Sequence, residues 1–386
     1  MRTRYLVLDI LRALAGLSVP LLHLTESFWQ RPGFGGERLF CGHVYYAVEF
    51  FLLLMGYMLG FAYDRRWREG MGTGDFFLRR LKRLHPMVVS GVALGGLVWL
   101  CSVVGVPNVK PILPANTSAG MVAWAFVAQL LVIPAFGFSM IAPLNACSWT
   151  LYYEYLGNVL YATVVRRFGV RTLAACSAAA FAFAAWFVFS HGAPYTFDGG
   201  WSAVWRSRFS YMAALARLLF PLFFGLLLFR LGWKIRLPRR LAMTLVTVSF
   251  LALLFVPHSI GLGSASGMPW INGVLDLAAM GVFMPLLLLV GVGVEAEPVV
   301  GRFARTVAFF AELSYPLYMS HFMFMQVHRG WLNGPAREMS DLAVIGVTAL
   351  FYVAFLFVAS AVMFFWNRVI FQVRRYPIDG VRVVLV

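Results

Sequence analysis

The 386-residue chain is poor in charge and in cysteine. Only 12% of its residues are Asp, Glu, Lys or Arg, against about 25% in an ordinary globular domain, while 61% are hydrophobic. Such a chain cannot cover itself with polar surface, which excludes a soluble globule, a disordered chain and a fibrous protein. Lipid must be its solvent. Acidic residues are scarcer still: 16 Asp and Glu stand against 32 Lys and Arg, a net charge of +16. In a soluble protein that excess would suggest nucleic acid. Here it indicates basic loops held on one side of a bilayer, and no nucleic-acid partner is expected. The 4 cysteines, Cys41, Cys101, Cys147 and Cys176, are widely spaced and form no CxxC pair, so neither a disulfide scaffold nor a zinc site is suggested. They read as small apolar fillers of packed helices, and no metal is expected. A Walker loop, a glycine-rich nucleotide fingerprint and an internal repeat are also missing.

What is present is a series of apolar runs. They fall at about 5–24, 44–62, 86–106, 147–165, 172–190, 211–229, 241–257, 271–294, 306–327 and 342–366. Each approaches the ~20 residues that carry a helix across ~30 Å of hydrocarbon. The first resembles a signal peptide behind Arg2 and Arg4, but Asp9 and Arg12 interrupt it and no small-residue cleavage site follows. It is read as a retained helix. One further stretch, 119–141, contains Pro134 and Gly137 and runs into Pro143.

Basic residues orient the spans. They cluster at Arg65–Arg83, at Arg166, Arg167 and Arg171, at Arg230–Arg240, at Arg302 and Arg305, and around Arg368–Arg382. All of these fall on one side only if 119–141 does not cross. The expectation is an all-α polytopic membrane helix bundle, a single domain over 1–386. It has about ten transmembrane helices, a re-entrant or interfacial segment near 119–141, and both termini cytoplasmic. Non-helical backbone at that depth must line protein or a cavity, so a cavity is expected near 119–150. Trp201 and Trp205 would suit an interfacial belt in an outer loop.

Ionisable groups inside apolar spans are expensive and mark functional sites by default. Arg12 and His23 are eleven residues apart, so they project from one helical face, roughly 16 Å apart along the axis. A lined tunnel suits that pattern, although Arg12 could snorkel and His23 could sit at an interface. Glu49 begins an apolar helix, as a dipole partner or as the carboxylate that balances an imidazole. Arg80 and Arg83 share a face if helical and would form a phosphate clamp; a topogenic basic loop would look the same. Glu154 lies several residues into the 147–165 span, which carries Trp149, next to the 119–141 segment. Tyr315, Tyr318 and His321 follow at i, i+3 and i+6 and line one side of another span, as a cavity wall or as aromatic packing.

Five segments, taken in order, resemble the acyltransferase-3 family of integral membrane acyltransferases. They are Leu8-Asp9-Ile10-Leu11-Arg12-Ala13 through His23, Val48-Glu49-Phe50-Phe51 through Met55-Gly56-Tyr57, Phe77-Leu78-Arg79-Arg80-Leu81-Lys82-Arg83 ahead of Pro86, Ser148-Trp149-Thr150-Leu151 with Glu154, and Ser314-Tyr315-Pro316-Leu317-Tyr318 with His321. Met55 and Thr150 each stand where the family carries Ser.

The resemblance implies an O-acyltransferase that takes an acyl group, often acetyl, from acetyl-CoA or another acyl-CoA. The acceptor would be a hydroxyl of an extracytoplasmic or lipid-linked carbohydrate, and the location a bacterial inner membrane. It implies His23 as general base, oriented by Glu49 or Glu154, and Arg12, Arg80 and Arg83 as the CoA site. Trp149, Tyr315, Tyr318 and His321 would contact the acceptor. No side chain stands out as a covalent nucleophile, so direct transfer and an acyl-enzyme both remain open. A transporter or flippase for a glycan or lipid-linked substrate is the alternative, since polar spans and a re-entrant segment also suit a substrate pathway.

Overall fold

The computed structural model describes residues 3–29, 43–109, 111–114, 116–190, 208–255, 270–294, 296–298 and 300–373. Trp201 and Trp205 lie outside them. The first helix, α1, spans Leu6–Trp29, and α2 spans Tyr46–Leu59. A π turn at Gly60–Asp64 joins α2 to the short α3, Arg65–Arg68. Then follow α4 (Thr73–Val103), α5 (Ala119–Leu130), α6 (Trp149–Thr163), α7 (Val170–Ser190), α8 (Arg208–Leu231) and α9 (Arg239–Phe255). A second π turn, Ala279–Phe283, joins α10 (Trp270–Ala278) to α11 (Met284–Gly293). The chain closes with α12 (Gly301–Leu332) and α13 (Asp341–Val373).

The protein is thus an all-helical membrane bundle, with a helix or helical run at each of the ten expected spans. Among the described residues, seven runs are long and apolar enough to cross a bilayer. At the other three positions, α6 and α9 are shorter, and α12 is long enough but carries the polar stripe described below.

One expected boundary moves. The basic segment 77–85 belongs to α4 and is not a loop, so the helix begins at Thr73, ahead of the apolar run at 86–106, and Pro86 lies inside it. Leu, Arg and Lys are good helix formers, and one lost backbone donor at Pro86 does not outweigh a 31-residue helix.

The basic clusters meet at one end of the bundle. Arg230, at the end of α8, donates to both Asp64 carboxylate oxygens (2.7 and 3.1 Å) and to the Arg166 carbonyl (3.1 Å). The Tyr161 hydroxyl also donates to Asp64, at 2.8 Å. The Arg166 guanidinium lies 3.9 Å over the Trp67 ring. At the same end Thr3–Arg4 pairs antiparallel with Glu297–Pro298, and the Ile235 N–H donates to the Leu289 carbonyl. The opposite end is marked by the His43 N–H donating to the Leu254 carbonyl.

The 119–141 segment is only partly helical. Twelve residues of α5 reach only about 18 Å, short of a ~30 Å crossing. Non-helical chain then turns back, tied by the Gln129 side-chain oxygen, which accepts the Leu144 N–H at 2.7 Å. Leu144 rests on Gly95 of α4, where an added Cβ would lie 3.0 Å from the Leu144 carbonyl carbon. Gly95 is eight residues, roughly 12 Å, inside the end of α4, so this irregular backbone packs against the interior of that helix.

Candidate active site

The α1–α12 pair builds the spine of the site. Gly16 allows the two helices to close: a Cβ there would lie 2.6 Å from the Ser314 Cα. Small residues at such crossings are the usual device for tight packing in lipid. Arg12 and His23 both face α12, as their spacing predicts. Arg12 donates to the Ala311 carbonyl (3.0 Å) and to Asp9 (3.3 Å). Asp9 in turn accepts two bonds from Arg4, which also reaches Glu312. Two cations and two carboxylates thereby satisfy one another where α1 enters the bundle.

A cavity of about 380 Å³ opens between α1, α2, α4, α6, α12 and α13. Its polar wall carries Arg12, Arg80, Lys82 and Arg83 against Glu154 and Glu312. Its apolar wall includes Phe51, Met55, Met58 and Met87, and Trp366 and Asn367 of α13 close one side. Arg80 donates to Glu154 at 2.8 Å. Arg83, one helical turn on, has no hydrogen-bond or salt-bridge partner among the described residues, so its guanidinium is available to an anion in the cavity. At the far end lie Thr150 and Tyr318, with the Thr150 hydroxyl donating to the Tyr318 oxygen at 2.9 Å. Tyr315 lines the same cavity and anchors α12 to α4 through the Leu84 carbonyl (3.0 Å).

Behind that end wall lies a compact cluster. The Tyr318 and His321 rings are 5.5 Å apart, and His321 stacks on His23 with centroids 5.0 Å apart and planes 12° apart. Cys147 Sγ is 3.1 Å from His321 Nε2. His321 Nδ1 lies 2.6 Å from the Tyr318 carbonyl, which can only accept. That contact fixes the neutral ring's proton on Nδ1 and leaves Nε2 to accept from the Cys147 thiol. Ligand atoms of His23, Cys147 and His321 all lie within 4.8 Å of one another. The two imidazole planes are nearly parallel, however, so their in-plane lone pairs do not converge on one point. A metal would require one ring to turn.

Both predicted carboxylates depart from expectation. Neither Glu49 nor Glu154 orients His23; each is engaged by an arginine. Glu154 holds Arg80 on the cavity wall. Glu49 pairs with Arg217 of α8, each side chain being only 2% exposed. The Arg217 guanidinium also lies 5.0 Å over the Trp149 ring. Trp149 therefore packs on an ion pair that ties α2, α6 and α8 together, and it is not on the cavity wall. A lone carboxylate in hydrocarbon draws in the nearest guanidinium, because an unpaired buried charge is worse than either pairing.

Sequence reasoning missed Arg217, Asp276 and the environment of Cys147. Arg217 and Asp276 each interrupt an apolar span, so the rule that flagged Glu49 applies to both. Asp276 is fully buried and accepts from the Tyr45 and Tyr46 hydroxyls at 2.6 Å each. By sequence alone Cys147 is a small apolar filler. Its contact with His321 links residues 174 apart in sequence, and no local pattern announces it.

The sequence profile of the Acyltransferase domain family, Acyl_transf_3, matches residues 5–368. A protein described as "Protein 2 in picA locus" from Rhizobium radiobacter is 32% identical over 173 residues, which is 44% of this chain and 84% of the relative. No solved structure matches.

Proposed function

The chain belongs to the acyltransferase-3 family, and from that premise we propose that it moves an acyl group, acetyl in the first instance, from a cytoplasmic acyl-CoA to a hydroxyl of an extracytoplasmic or lipid-linked carbohydrate. The observation that carries the reading is the cavity with Arg12, Arg80, Lys82 and Arg83 on its wall and the His321–His23 stack behind its far end. CoA is a polyanion, and guanidinium groups bind phosphate in bidentate fashion. Arg83 supplies an uncommitted fork, and Arg80 one held in place by Glu154. The apolar wall suits the pantetheine arm and acyl chain, and keeps water from the thioester. His23 then takes the proton of the acceptor hydroxyl as general base.

The excess of positive charge at the cavity's end of the bundle supports a cytoplasmic placement of that end, in a bacterial inner membrane. Both termini then lie inside, since Arg4 is tied there and α13 brings Trp366 and Asn367 to the same cavity. The test uses membrane vesicles from cells producing the chain, supplied with acyl-labelled acetyl-CoA. Wild type should pass label to envelope carbohydrate, while His23→Ala at equal expression should not. Equal label in both would overturn the role of His23. No label from acetyl-, succinyl- or long-chain acyl-CoA would overturn the donor.

A further inference from the structure

We propose that Cys147 carries the acyl group between donor and acceptor, so that transfer proceeds through a Cys147 thioester; this rests on the acyl-CoA reading above. Four features of the fold support it. The thiol lies 3.1 Å from His321 Nε2, and the Nδ1 contact to the Tyr318 carbonyl makes that nitrogen the acceptor. A thiol paired with an oriented imidazole is an activated nucleophile, whereas a cysteine packed only among apolar side chains is inert. The pair sits directly behind the cavity: the Thr150 hydroxyl oxygen, on the cavity wall, lies 3.3 Å from the Cys147 carbonyl oxygen, and Tyr318, on the same wall, packs on the His321 ring.

His23 stacks on the other partner of the thiol, which puts a second imidazole beside it. Asn145, two residues before Cys147 and fully buried, donates to the Met319 carbonyl but has no partner for its own Oδ1 among the described residues. An unmatched acceptor beside the cluster is a place for a substrate hydroxyl or amide.

The chemistry balances in two steps. First, the Cys147 sulfur attacks the thioester carbonyl and gives its proton to His321 Nε2. The bond from the carbonyl carbon to the CoA sulfur breaks, and the CoA sulfur leaves with that proton. Second, the acceptor hydroxyl oxygen attacks the Cys147 thioester and its proton passes to His23. The carbon–Sγ bond breaks, and the proton returns to Cys147. The intermediate would be held at a residue only 8% exposed, away from the water that would hydrolyse it. Donor and acceptor need never occupy the site together, which suits a bundle whose cation-lined cavity and His23 lie on opposite sides of the Thr150–Tyr318 wall.

The test needs no knowledge of the acceptor. Full-length protein in detergent is mixed with acetyl-CoA and labelled free CoA. A covalent intermediate makes the first step reversible, so label should enter acetyl-CoA with wild type and fall to background with Cys147→Ala and Cys147→Ser. Those variants should still bind acetyl-CoA by calorimetry, which controls for folding. Peptide mapping of wild type supplies a readout that requires no variant: an acetyl group on Cys147, released by hydroxylamine. Acetyl-CoA binding by wild type without exchange and without acetyl-Cys147 would overturn the proposal and leave the acyl-CoA reading standing. Exchange by Cys147→Ala at the wild-type rate would do the same. Failure of wild type to bind any acyl-CoA would overturn both.

Discussion

Removing one partner of the Glu49–Arg217 pair should be far more damaging than removing both. Each side chain is 2% exposed, and the pair joins α2 to α8. Deleting either member removes the opposite charge that balances the other in a low-dielectric interior, which costs about 3–5 kcal/mol. The two deletions are not equal. Arg217→Met also removes the cation over Trp149, worth roughly a further 2 kcal/mol when desolvated, whereas Glu49→Leu leaves Arg217 on that ring. The double variant Glu49→Leu/Arg217→Met replaces the pair with apolar groups of similar size and should lie closer to wild type than either single variant. Denaturant unfolding in detergent, followed by tryptophan fluorescence, measures all four proteins. The expected order of stability is wild type, double variant, Glu49→Leu, Arg217→Met. Losses in the two single variants that simply add in the double would refute the reasoning, because they would mean the two side chains do not depend on each other.

Three further outcomes follow from the same contacts. Arg83→Ala should weaken acetyl-CoA binding by about 10–100-fold, the worth of one charge-assisted bond, with no loss of thermal stability; Arg80→Ala should lose affinity and also lower the melting temperature, because it strands Glu154. Asp276→Ala should destabilise the bundle by about 1–3 kcal/mol by leaving the Tyr45 and Tyr46 hydroxyls unmatched, read as an earlier melt, and Asp276→Asn should recover part of it. Gly95→Val should sharply reduce the yield of monodisperse protein, since its Cβ meets the Leu144 backbone, whereas Gly120→Ala, with open space around it, should not.

The helices and their order were legible because they rest on a one-dimensional signal, apolar length. The shared face of Arg12 and His23 was legible for a similar reason, since helical pitch alone sets it. The starts of helices were less so. Residues 77–85 carry both a topogenic charge pattern and strong helix propensity, and only the fold shows that they serve as both. Partnerships were least legible. Glu49 was visible as an oddity, but its choice of Arg217 over His23 depends on how α2 and α8 meet. Cys147 took its significance wholly from the stretch between α5 and α6 being brought against α12.

Acetyl-CoA calorimetry on the purified protein, with wild type beside the Arg80→Ala/Arg83→Ala double variant, tests the central claim most directly. Saturable one-site binding by wild type, lost in the variant, is the predicted result. Absence of binding by well-folded wild type, or binding that the variant retains in full, would contradict the placement of the acyl donor in the arginine-lined cavity.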